Sequence, residues 1–480
     1  MSSMTTPIVD FVRRYAQSGT SRLHMPGHKG QPFLGCEAWD ITEIKGADEL
    51  YEAEGIIAQS EANATALFGT AHTYYSTEGS SQCIRAMLAL ALQGAPRTGK
   101  RPVLLAARNA HKALLYAAAL LDFDIQWLWP APEDSGALCS CPIKPEALRK
   151  ALEAKAEQGT RPFGVYVTSP DYLGSVQDVA GLSAVCQEQG VPLLVDNAHG
   201  AYLHFLPDGS RHPIALGAAM CCDSGHKTLP VLTGGAYLHL GPNAPVQDEA
   251  TIRNTLNLFG STSPSYLILQ SLDQCNAVLA GDYRERLSGC CTALEGLRKA
   301  LNEIAVAHGA VLPLALPGDT PDREPLKLTL DAAALGSSGQ AMAEALRQHN
   351  IECEYADPRY LVLMFTSENP PQDYDRLQEA ITAFCSAHPL GSALVEEDAA
   401  GDFAALAREL DENGSRCTIR EAVFAPQEQV AVENALGRVC ALPTVSCPPA
   451  IPIVVSGEVV GKAAVNLMKR YGIKTISVIV

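Results

Sequence analysis

The chain has 480 residues, of which 47% are hydrophobic and 19% charged, a balance typical of a folded protein with two or three domains. Its formal net charge of −17 argues against nucleic-acid binding, which favours a basic face, and suits a cationic substrate. No apolar run is long enough for a membrane span, and residues 1–10 lack the order of a secretory signal, so we expect no membrane association.

The cysteines indicate a reducing compartment. There are 15 of them, an odd number, and they include the adjacent pairs Cys221-Cys222 and Cys290-Cys291 but no C-x-x-C pair. We therefore expect reduced thiols that fill core space in a cytoplasmic protein. Cys139-Ser140-Cys141 has no matching ligand pair elsewhere in the chain, so no metal site is expected.

The first two segments in chain order are an irregular start and an α/β domain. Residues 1–46 are mixed, with a turn-rich stretch at His24–Gly30. Between residues 47 and 265, apolar runs alternate with helical periodicity, which predicts a doubly wound domain whose parallel strands are covered on both faces. The predicted strands include Val103–Ala106, Gly164–Thr168 and Pro192–Asp196, and the predicted helices include Ser81–Leu92, Pro145–Ala156 and Leu182–Gln189. Ligands of such a domain gather at the carboxyl ends of the strands.

Residues 266–400 are predicted to form a smaller α+β domain, and residues 401–480 a third, compact one. The smaller domain starts with a long helical region, followed by short strands and further helices: Tyr266–Ile304, Pro325–Leu330, Gly339–Gln348, Leu361–Phe365 and Tyr374–Ala387. The third domain contains a Pro-rich hinge at Cys447–Pro452 and a final β-branched strand at Thr475–Val480.

Two charged residues at the ends of predicted buried strands carry the functional prediction. Asp196 closes the strand Pro192–Asp196, and Lys227 lies in Ser224-Gly225-His226-Lys227-Thr228, thirty-one positions later. A lysine amine that attaches to an aldehyde, with a carboxylate that keeps a pyridine nitrogen protonated, is the arrangement that pyridoxal phosphate requires. Lys227 and Asp196 together therefore predict a pyridoxal-phosphate enzyme.

Gly79-Ser80-Ser81 is the predicted phosphate-binding turn. It leads into the apolar helix that ends at Leu92, and a helix start offers N–H groups and the positive end of the helix dipole to a dianion. The two hydroxyls add further donors. An ordinary serine N-cap is the structural alternative, so the phosphate interpretation depends on Lys227 and Asp196.

Three histidines complete the predicted pocket. His111 follows the strand that ends at Ala106, where its ring could stack on a cofactor ring, and a surface-loop histidine is the alternative. His199 comes one turn after Asp196 and could hydrogen-bond its carboxylate or the cofactor. His226 could donate a proton, contact the substrate carboxylate or only shape the loop around the lysine.

A series of motifs runs along the chain in a fixed order. They are Leu23-His24-Met25-Pro26-Gly27-His28-Lys29-Gly30, Asp40-Ile41-Thr42-Glu43, Arg108-Asn109-Ala110-His111-Lys112, Thr168-Ser169-Pro170, Val195-Asp196-Asn197-Ala198-His199-Gly200, Ser224–Pro230, Ser261–Tyr266, Glu421–Pro426 and Pro448-Pro449. With these motifs the chain resembles the bacterial ornithine/lysine/arginine decarboxylases, in particular their shorter members without the N-terminal wing domain. The resemblance implies fold type I, an α/β fold with an aspartate-aminotransferase-like large domain and smaller α+β C-terminal domains.

The resemblance also implies roles for individual residues. Lys227 would carry the cofactor, Asp196 would pair with its ring nitrogen and His111 would stack on the ring. The cofactor-binding set comprises these residues and Gly79, Ser80, Ser81, His199, Ser224 and His226. A homodimer is implied, in which Ser261 and Thr262 reach the neighbouring subunit's cofactor. A C-terminal acid, Glu458, would face the cationic end of the substrate.

The leading hypothesis is therefore decarboxylation of a basic L-amino acid to CO₂ and a diamine or agmatine, for polyamine supply. Arginine ranks ahead of lysine and ornithine, and Lys227 or His226 would return a proton to the α-carbon. Departures from the family pattern at Glu78, Ala110, Asn197 and Gly234-Gly235 bear on the choice of substrate.

Two alternatives stay open. The first is another fold-type-I reaction, such as aminotransfer or a lyase reaction, in which Arg253 or Arg359 would hold the substrate carboxylate throughout. The second is a catalytically silent paralogue that binds and regulates a partner decarboxylase.

Overall fold

The computed structural model describes residues 4–131, 137, 139–318, 320–387, 399–443 and 452–480, with only the backbone of residues 399–403. The chain forms two compact units. Unit 1 holds the residues up to Leu104 together with Arg149–Ser169 and Val179–Arg286. Unit 2 holds Leu105–Leu148, Pro170–Asp178 and the residues from Leu287 onward.

Helices and strands are numbered along the chain. The helices are α1 Pro7–Gln17, α2 Ile56–Phe68, α3 Gly79–Gly94, α4 Lys112–Leu121, α5 Pro145–Glu157, α6 Val179–Glu188, α7 Gly225–Thr228, α8 Glu249–Asn257, α9 Tyr266–Ala280, α10 Tyr283–Ala307, α11 Gly339–Gln348, α12 Pro371–Ala387, α13 Ala399–Asn413, α14 Ile419–Phe424 and α15 Lys462–Arg470. The strands are β1 His72–Ser76, β2 Val103–Ala107, β3 Asp124–Leu128, β4 Gly164–Thr168, β5 Leu193–Asp196, β6 Met220–Asp223, β7 Ala236–Leu240, β8 Lys327–Asp331, β9 Tyr355–Ala356, β10 Tyr360–Met364, β11 Gln427–Ala431 and β12 Thr475–Ile479. Within the described ranges, none of the helices combines the length and the apolar character that a bilayer crossing requires.

The sheet of unit 1 places the carboxyl ends of its parallel strands side by side. Its strands follow the order β1-β7-β6-β5-β4, and β4, β5 and β6 are parallel. Every residue of β5 and β6 is buried, as their continuous apolar runs predict. Thr168 pairs with Asp196 and Asp196 with Cys222, so residues that follow these strands meet at one edge.

Strand β7 departs from the predicted parallel sheet. It pairs antiparallel with both β6 and β1, which makes the sheet mixed. Residues 224–235 connect β6 to β7 and contain only the one-turn helix α7, whereas the connection of a parallel crossover is usually a full α-helix. Lys227, in α7, therefore stays at the carboxyl edge of the sheet.

The other predicted elements lie close to their expected positions. The α/β class is confirmed, and the predicted helix at Gly339–Gln348 coincides with α11. The helical region predicted at Tyr266–Ile304 is two helices, because α9 ends before Gly281 and α10 begins at Tyr283.

Unit 2 contains two small antiparallel sheets, β8-β10-β9 and β11-β12. The C-terminal residues have an apolar core of their own around Leu406, Ile453 and Val478. The domain limits predicted at residues 46, 265 and 400 stay predictions. Of the predicted Pro-rich hinge, all but Pro452 lies outside the described residues.

Candidate active site

Asp196 ends strand β5 and is held by a tyrosine from the neighbouring strand. The hydroxyl of Tyr166, in β4, donates a hydrogen bond of 2.9 Å to Oδ2 of Asp196, which is 3% exposed. Burial, and then the Asp196 charge, raise the pKa of Tyr166 well above its usual value, so the phenol keeps its proton and remains a donor. The backbone N–H of Ala198 donates to Oδ1 at 3.2 Å. The carboxylate is thereby fixed at the edge of the sheet.

Lys227 lies in α7, directly after β6, and its amine contacts a buried histidine. Nζ of Lys227 is 3.0 Å from Nε2 of His199, which comes from the loop after β5. The backbone N–H of Lys227 donates to the carbonyl of Ser224 and fixes the turn. The structure thus brings Asp196, His199 and Lys227 to one edge of the sheet, while their roles stay predictions.

His226 is held in a single orientation beside Lys227. Its Nδ1 is 3.0 Å from the carbonyl oxygen of Gly235, and because a carbonyl only accepts, Nδ1 carries the proton. Burial, together with the neighbouring Lys227 charge, lowers the pKa of His226, so the ring is neutral at neutral pH. The other nitrogen, Nε2, therefore presents a lone pair and accepts hydrogen bonds.

The predicted phosphate turn begins helix α3. Gly79 is the first residue of the helix with a φ of 68°, and a side chain there would meet no atom within 4 Å. The residue before it, Glu78, makes no side-chain cap. Ser80 and Ser81 are therefore the second and third helical residues, and the N-cap alternative is not what the structure has. Ser224 Oγ donates to Ser80 Oγ at 2.9 Å, which joins the turn to the loop that carries Lys227.

The glycines that depart from the family pattern connect the two loops. The carbonyl of Gly234 accepts from the N–H of Gly79 at 2.8 Å, and that of Gly235 accepts from His226. Gly234 has a φ of 100°, and a side chain there would lie 3.0 Å from the carbonyl oxygen of Thr77. Glycine at position 234 is therefore a requirement of the backbone.

The residues at this edge fit pyridoxal phosphate. The phosphate matches the open backbone at Gly79 and the first turn of α3, whose N–H groups have no partner inside the helix. Thr77 Oγ1 is buried, and no group in the described part of the chain hydrogen-bonds to it. The ring nitrogen matches the carboxylate of Asp196, and the aldehyde matches the amine of Lys227.

A second cluster of polar side chains lies in the core next to the site. Nε2 of His212 and Nε2 of His239 are 3.0 and 3.2 Å from Oδ2 of Asp223, and Asn197 Nδ2 donates to Oδ1 at 2.6 Å. The ligand atoms of the two histidines and Asp223 lie within 4.8 Å of one another, a spacing that a metal could use. Both histidines contact the same oxygen, so a hydrogen-bonded network accounts for the geometry. Asn197 follows Asp196 and Asp223 precedes Ser224, so the network supports both loops.

We expect Asp223→Asn to lower the free energy of unfolding by about 1.5–3 kcal/mol, the usual contribution of hydrogen bonds to a charged group. The amide would offer one of the two histidines a donor in place of an acceptor. Chemical denaturation measures the change. Asp208→Asn is the matched control, because Asp208 pairs with Arg211 at the surface with 57% of its side chain exposed.

The stability lost in Asp223→Asn should still be present at about pH 5, because the Asp223 carboxylate keeps its charge there. Although burial alone would raise it, His212 and His239 lower the pKa of Asp223 below its ordinary 3.8. A depressed carboxyl pKa contributes stability that is present above the unfolded value and lost as the pH falls through the folded one. A difference that vanished at about pH 5 would contradict this assignment.

His111, in unit 2, is the N-cap of helix α4. Its Nδ1 accepts a hydrogen bond of 3.2 Å from the N–H of Ala113, so Nδ1 is unprotonated. The ring is half-buried and fixed by this cap, which is more order than a surface-loop histidine would have. Its stacking on a cofactor ring stays a prediction.

Glu458, also in unit 2, has a different environment from the one expected. It is 5% exposed, and Arg108 Nη1 and Nη2 donate to its two carboxylate oxygens at 2.7 and 2.8 Å. The N–H of Val455 donates to the same group at 2.8 Å. Substrate contact by Glu458 is therefore not carried into the functional proposal.

Ser261 and Thr262 lie on the surface of unit 1, between α8 and α9. Ser261 Oγ accepts from the N–H of Ser263 at 3.1 Å, which gives the loop a turn of its own. Their exposure leaves them accessible to a second subunit, and the predicted contact with that subunit's cofactor stays a prediction.

The two arginines considered for gripping a substrate carboxylate already have protein partners. Arg253 donates to Glu249, Glu61 and the carbonyl of Leu50. Arg359 Nε and Nη2 both donate to the carboxylate of Asp331. These pairs favour structural roles for both arginines and weaken the aminotransferase alternative.

Sequence reasoning missed Tyr166, the Asp223 network and the partner of Glu458. The signal that could have identified these residues is a polar residue inside an otherwise apolar strand, since buried polar groups require partners. Tyr166, Asp223 and His239 all match that description. Which partner each one has could not be inferred from that signal.

Comparison with known proteins gives consistent results. The family model described as Orn/Lys/Arg decarboxylase, major domain, matches residues 6–317. The arginine decarboxylase of Bacillus subtilis (strain 168) is 27% identical over 472 residues, which cover 96% of this chain and 92% of that protein. The arginine decarboxylase of Halalkalibacterium halodurans is 26% identical over 95% of this chain and 91% of its own. The lysine decarboxylase of Francisella novicida has the same fold, with a TM-score of 0.78 at 18% identity over 99% of this chain and 81% of that one.

Proposed function

Because this chain belongs to the Orn/Lys/Arg decarboxylase family and is thus a pyridoxal-phosphate-dependent enzyme that decarboxylates a basic amino acid, we propose that its substrate is L-arginine and its products are agmatine and CO₂. Similarity to arginine decarboxylases over 95–96% of the chain supports this choice. The observation that carries the chemistry is the amine of Lys227, held 3.0 Å from His199 at the sheet edge where Asp196 ends β5.

The residues proposed to hold the cofactor come from the loops after three strands and from the start of α3. The phosphate would bind at Gly79, Ser80, Ser81 and Ser224, where hydroxyls and helical N–H groups converge. Asp196 would bind the ring nitrogen and Lys227 the aldehyde. His111 and His199 would contact the ring, and Ser261 and Thr262 would complete the site of a second subunit.

The bound cofactor supplies an electron-accepting ring that stabilises charge on the α-carbon. Tyr166 and Ala198 donate to the two carboxylate oxygens of Asp196 and fix the carboxylate where it would face the ring nitrogen. Fixed donors and charges of this kind stabilise developing charge without reorganisation during the reaction.

Lys227, rather than His226, is the proposed proton donor to the α-carbon. The bond between the α-carbon and the carboxylate breaks, CO₂ leaves, and the α-carbon takes up one proton. His226 is neutral, its one N–H is held by Gly235, and its Nε2 presents a lone pair. Once the substrate amine has taken its place at the aldehyde, the Lys227 amine beside His199 can carry the proton to the α-carbon.

A homodimer is the proposed assembly, with the N-terminal segment in the interface. Leu23, Met25, Phe33 and Leu34 are 93%, 69%, 77% and 90% exposed within a short stretch of unit 1. Apolar side chains grouped in this way mark interaction surfaces, and a second copy of the chain suits the symmetric dimers that most oligomers form.

Light scattering tests the assembly. We expect wild type at twice the chain mass and Leu34→Glu shifted towards the monomer, because a charge would enter the apolar interface. Val306→Glu is the control, since Val306 is an equally apolar residue, 63% exposed, on α10. A wild type that remained monomeric at micromolar concentration would exclude the proposed dimer.

The proposed location is the cytoplasm and the proposed role is polyamine supply. The cysteines in the described part of the chain form no disulfide, which is the state that a reducing compartment favours. Agmatine can be converted to a diamine, which is consistent with polyamine supply. The cellular role stays a prediction.

The substrate proposal is tested by measuring ¹⁴CO₂ from carboxyl-labelled arginine, lysine and ornithine with the purified, cofactor-loaded protein. We expect kcat/KM for arginine to exceed the other two by about tenfold or more, a ratio that differential pocket contacts readily produce. Faster release from lysine or ornithine would overturn the choice of arginine and leave the family assignment intact. An amine-transfer product from arginine and a keto acid, without CO₂, would indicate aminotransfer.

A further inference from the structure

Arg108 and Glu458 form an enclosed ion pair in unit 2. The guanidinium of Arg108 is fully buried and donates to both carboxylate oxygens of Glu458. It also donates to the carbonyl of Ile453 at 3.3 Å and lies 4.7 and 5.2 Å from the ring centres of Trp127 and Trp129. A two-pronged guanidinium contact between aromatic faces fixes direction as well as distance.

Arg108 lies three positions before His111, the residue predicted to stack on the cofactor. Arg108 directly follows β2, Asn109 and Ala110 are buried, and His111 then caps α4. The backbone N–H of Arg108 donates to Leu128 of β3. Two buried residues, Asn109 and Ala110, therefore separate the ion pair from His111.

The far end of α4 is held by the same C-terminal part of the chain. Arg420, in α14, donates from Nη1 to the carbonyls of Ala119 and Leu120 at 2.8 and 3.3 Å. These carbonyls belong to the last turn of α4, where helical partners are lacking and cations are favoured. Glu458 thus holds the chain before the start of α4 through Arg108, and Arg420 holds the last turn of α4.

We infer that Glu458 is a positioning residue: Glu458, through Arg108, and Arg420 together set the place of helix α4 and of its N-cap His111, the residue proposed to contact the cofactor ring. This inference rests on the proposed role of His111 and deepens it. The family resemblance assigns Glu458 to the substrate, whereas this inference assigns it to the orientation of the loop that carries His111. The C-terminal residues would then influence the rate of the chemical step more than the binding of arginine.

The first test compares Glu458→Gln with Glu428→Gln. Glu428 is the matched control, because it pairs with Arg438 at the surface of the same C-terminal part. We expect Glu458→Gln to lower kcat by about 10–100-fold, as loss of an outer hydrogen-bonding partner does, with KM for arginine nearly unchanged. We also expect weaker visible circular dichroism of the bound cofactor, because a less constrained ring neighbour reduces its asymmetry. Glu428→Gln should change none of these.

The second test does not depend on activity or on the cofactor. In the apoprotein, Glu458→Gln should speed hydrogen exchange of the amides of residues 112–121, because α4 loses an anchor before its first turn. Arg420→Ala should do the same to a smaller extent. Because Arg420 is exposed, we expect Arg420→Ala to fold, and it tests the inference if Glu458→Gln does not fold.

Three outcomes would overturn the inference. A raised KM for arginine with unchanged kcat, dichroism and exchange in Glu458→Gln would mean that Glu458 contacts the substrate. Unchanged values of all four would remove the positioning role. If only Arg420→Ala folds, unchanged dichroism and exchange in that variant would also count against it. Absence of CO₂ from every basic amino acid would refute the proposed function, and the exchange and dichroism measurements would still decide this inference.

Discussion

Lys227→Ala is expected to abolish arginine decarboxylation, with a loss in kcat of about 10⁴-fold or more, the order seen when a group acting within a catalytic unit is removed. Lys227 supplies both the amine that holds the cofactor and the proposed proton, so one substitution removes two functions. The visible absorbance of the purified protein should disappear as well. Release of labelled CO₂ and the absorbance spectrum measure the two effects separately.

Two further variants make this result specific. Lys227→Arg keeps the positive charge beside His199 but cannot attach to an aldehyde, so it should fail like the alanine variant. Lys150→Ala removes an exposed lysine of α5 and should behave as wild type. Turnover at the parental rate in Lys227→Ala would refute the central assignment. A wild type that neither gains visible absorbance nor releases CO₂ would favour the silent paralogue.

Asp196→Asn should have the second largest effect, a loss in kcat of about 10²–10³-fold, comparable with removing one preorganised electrostatic contact. The amide is nearly the same size and can still accept from Tyr166, so the fold and cofactor binding should survive. What disappears is the negative charge opposite the ring nitrogen. The expected signature is therefore retained visible absorbance with a greatly reduced rate.

Tyr166→Phe provides a graded comparison for Asp196. It removes the 2.9 Å hydrogen bond but leaves the charge, so we expect a loss of about 10-fold, at the low end for an outer partner of a functional group. Asp208→Asn, at the surface, should leave the rate unchanged. An Asp196→Asn variant with the wild-type rate would show that the ring nitrogen is bound elsewhere.

Much of the large domain and its strand-end residues could be predicted because the signals are local. Continuous apolar runs identify β4 and β5 to within a residue, and each strand's last residue is read directly from the sequence. Parallel strands have their carboxyl ends at one edge, so Asp196 and Lys227 could be expected to approach each other. Helix α11 could be predicted equally well, because its helical periodicity lies within ten residues.

Pairings between distant parts of the chain could not be predicted. Tyr166 meets Asp196 because β4 and β5 pair in one register, and a sequence does not state the register of strands thirty residues apart. Glu458 meets Arg108 across 350 positions, where no periodicity operates. The antiparallel course of β7 likewise depends on a short connection whose helix, α7, has only one turn. In each case tertiary pairing, rather than local pattern, decided the outcome.

The aromatic surroundings of Arg108 give the protein an optical reporter. The chain has three tryptophans, and Trp127 and Trp129 both lie against this guanidinium, whereas Trp39 is 54% exposed. Emission from these two partly buried indoles should therefore respond to movement of the neighbouring cation. In a Trp39→Phe background the tryptophan fluorescence would come from these two rings alone. Stopped-flow mixing with arginine would then show whether the contact between Arg108 and Glu458 changes during turnover.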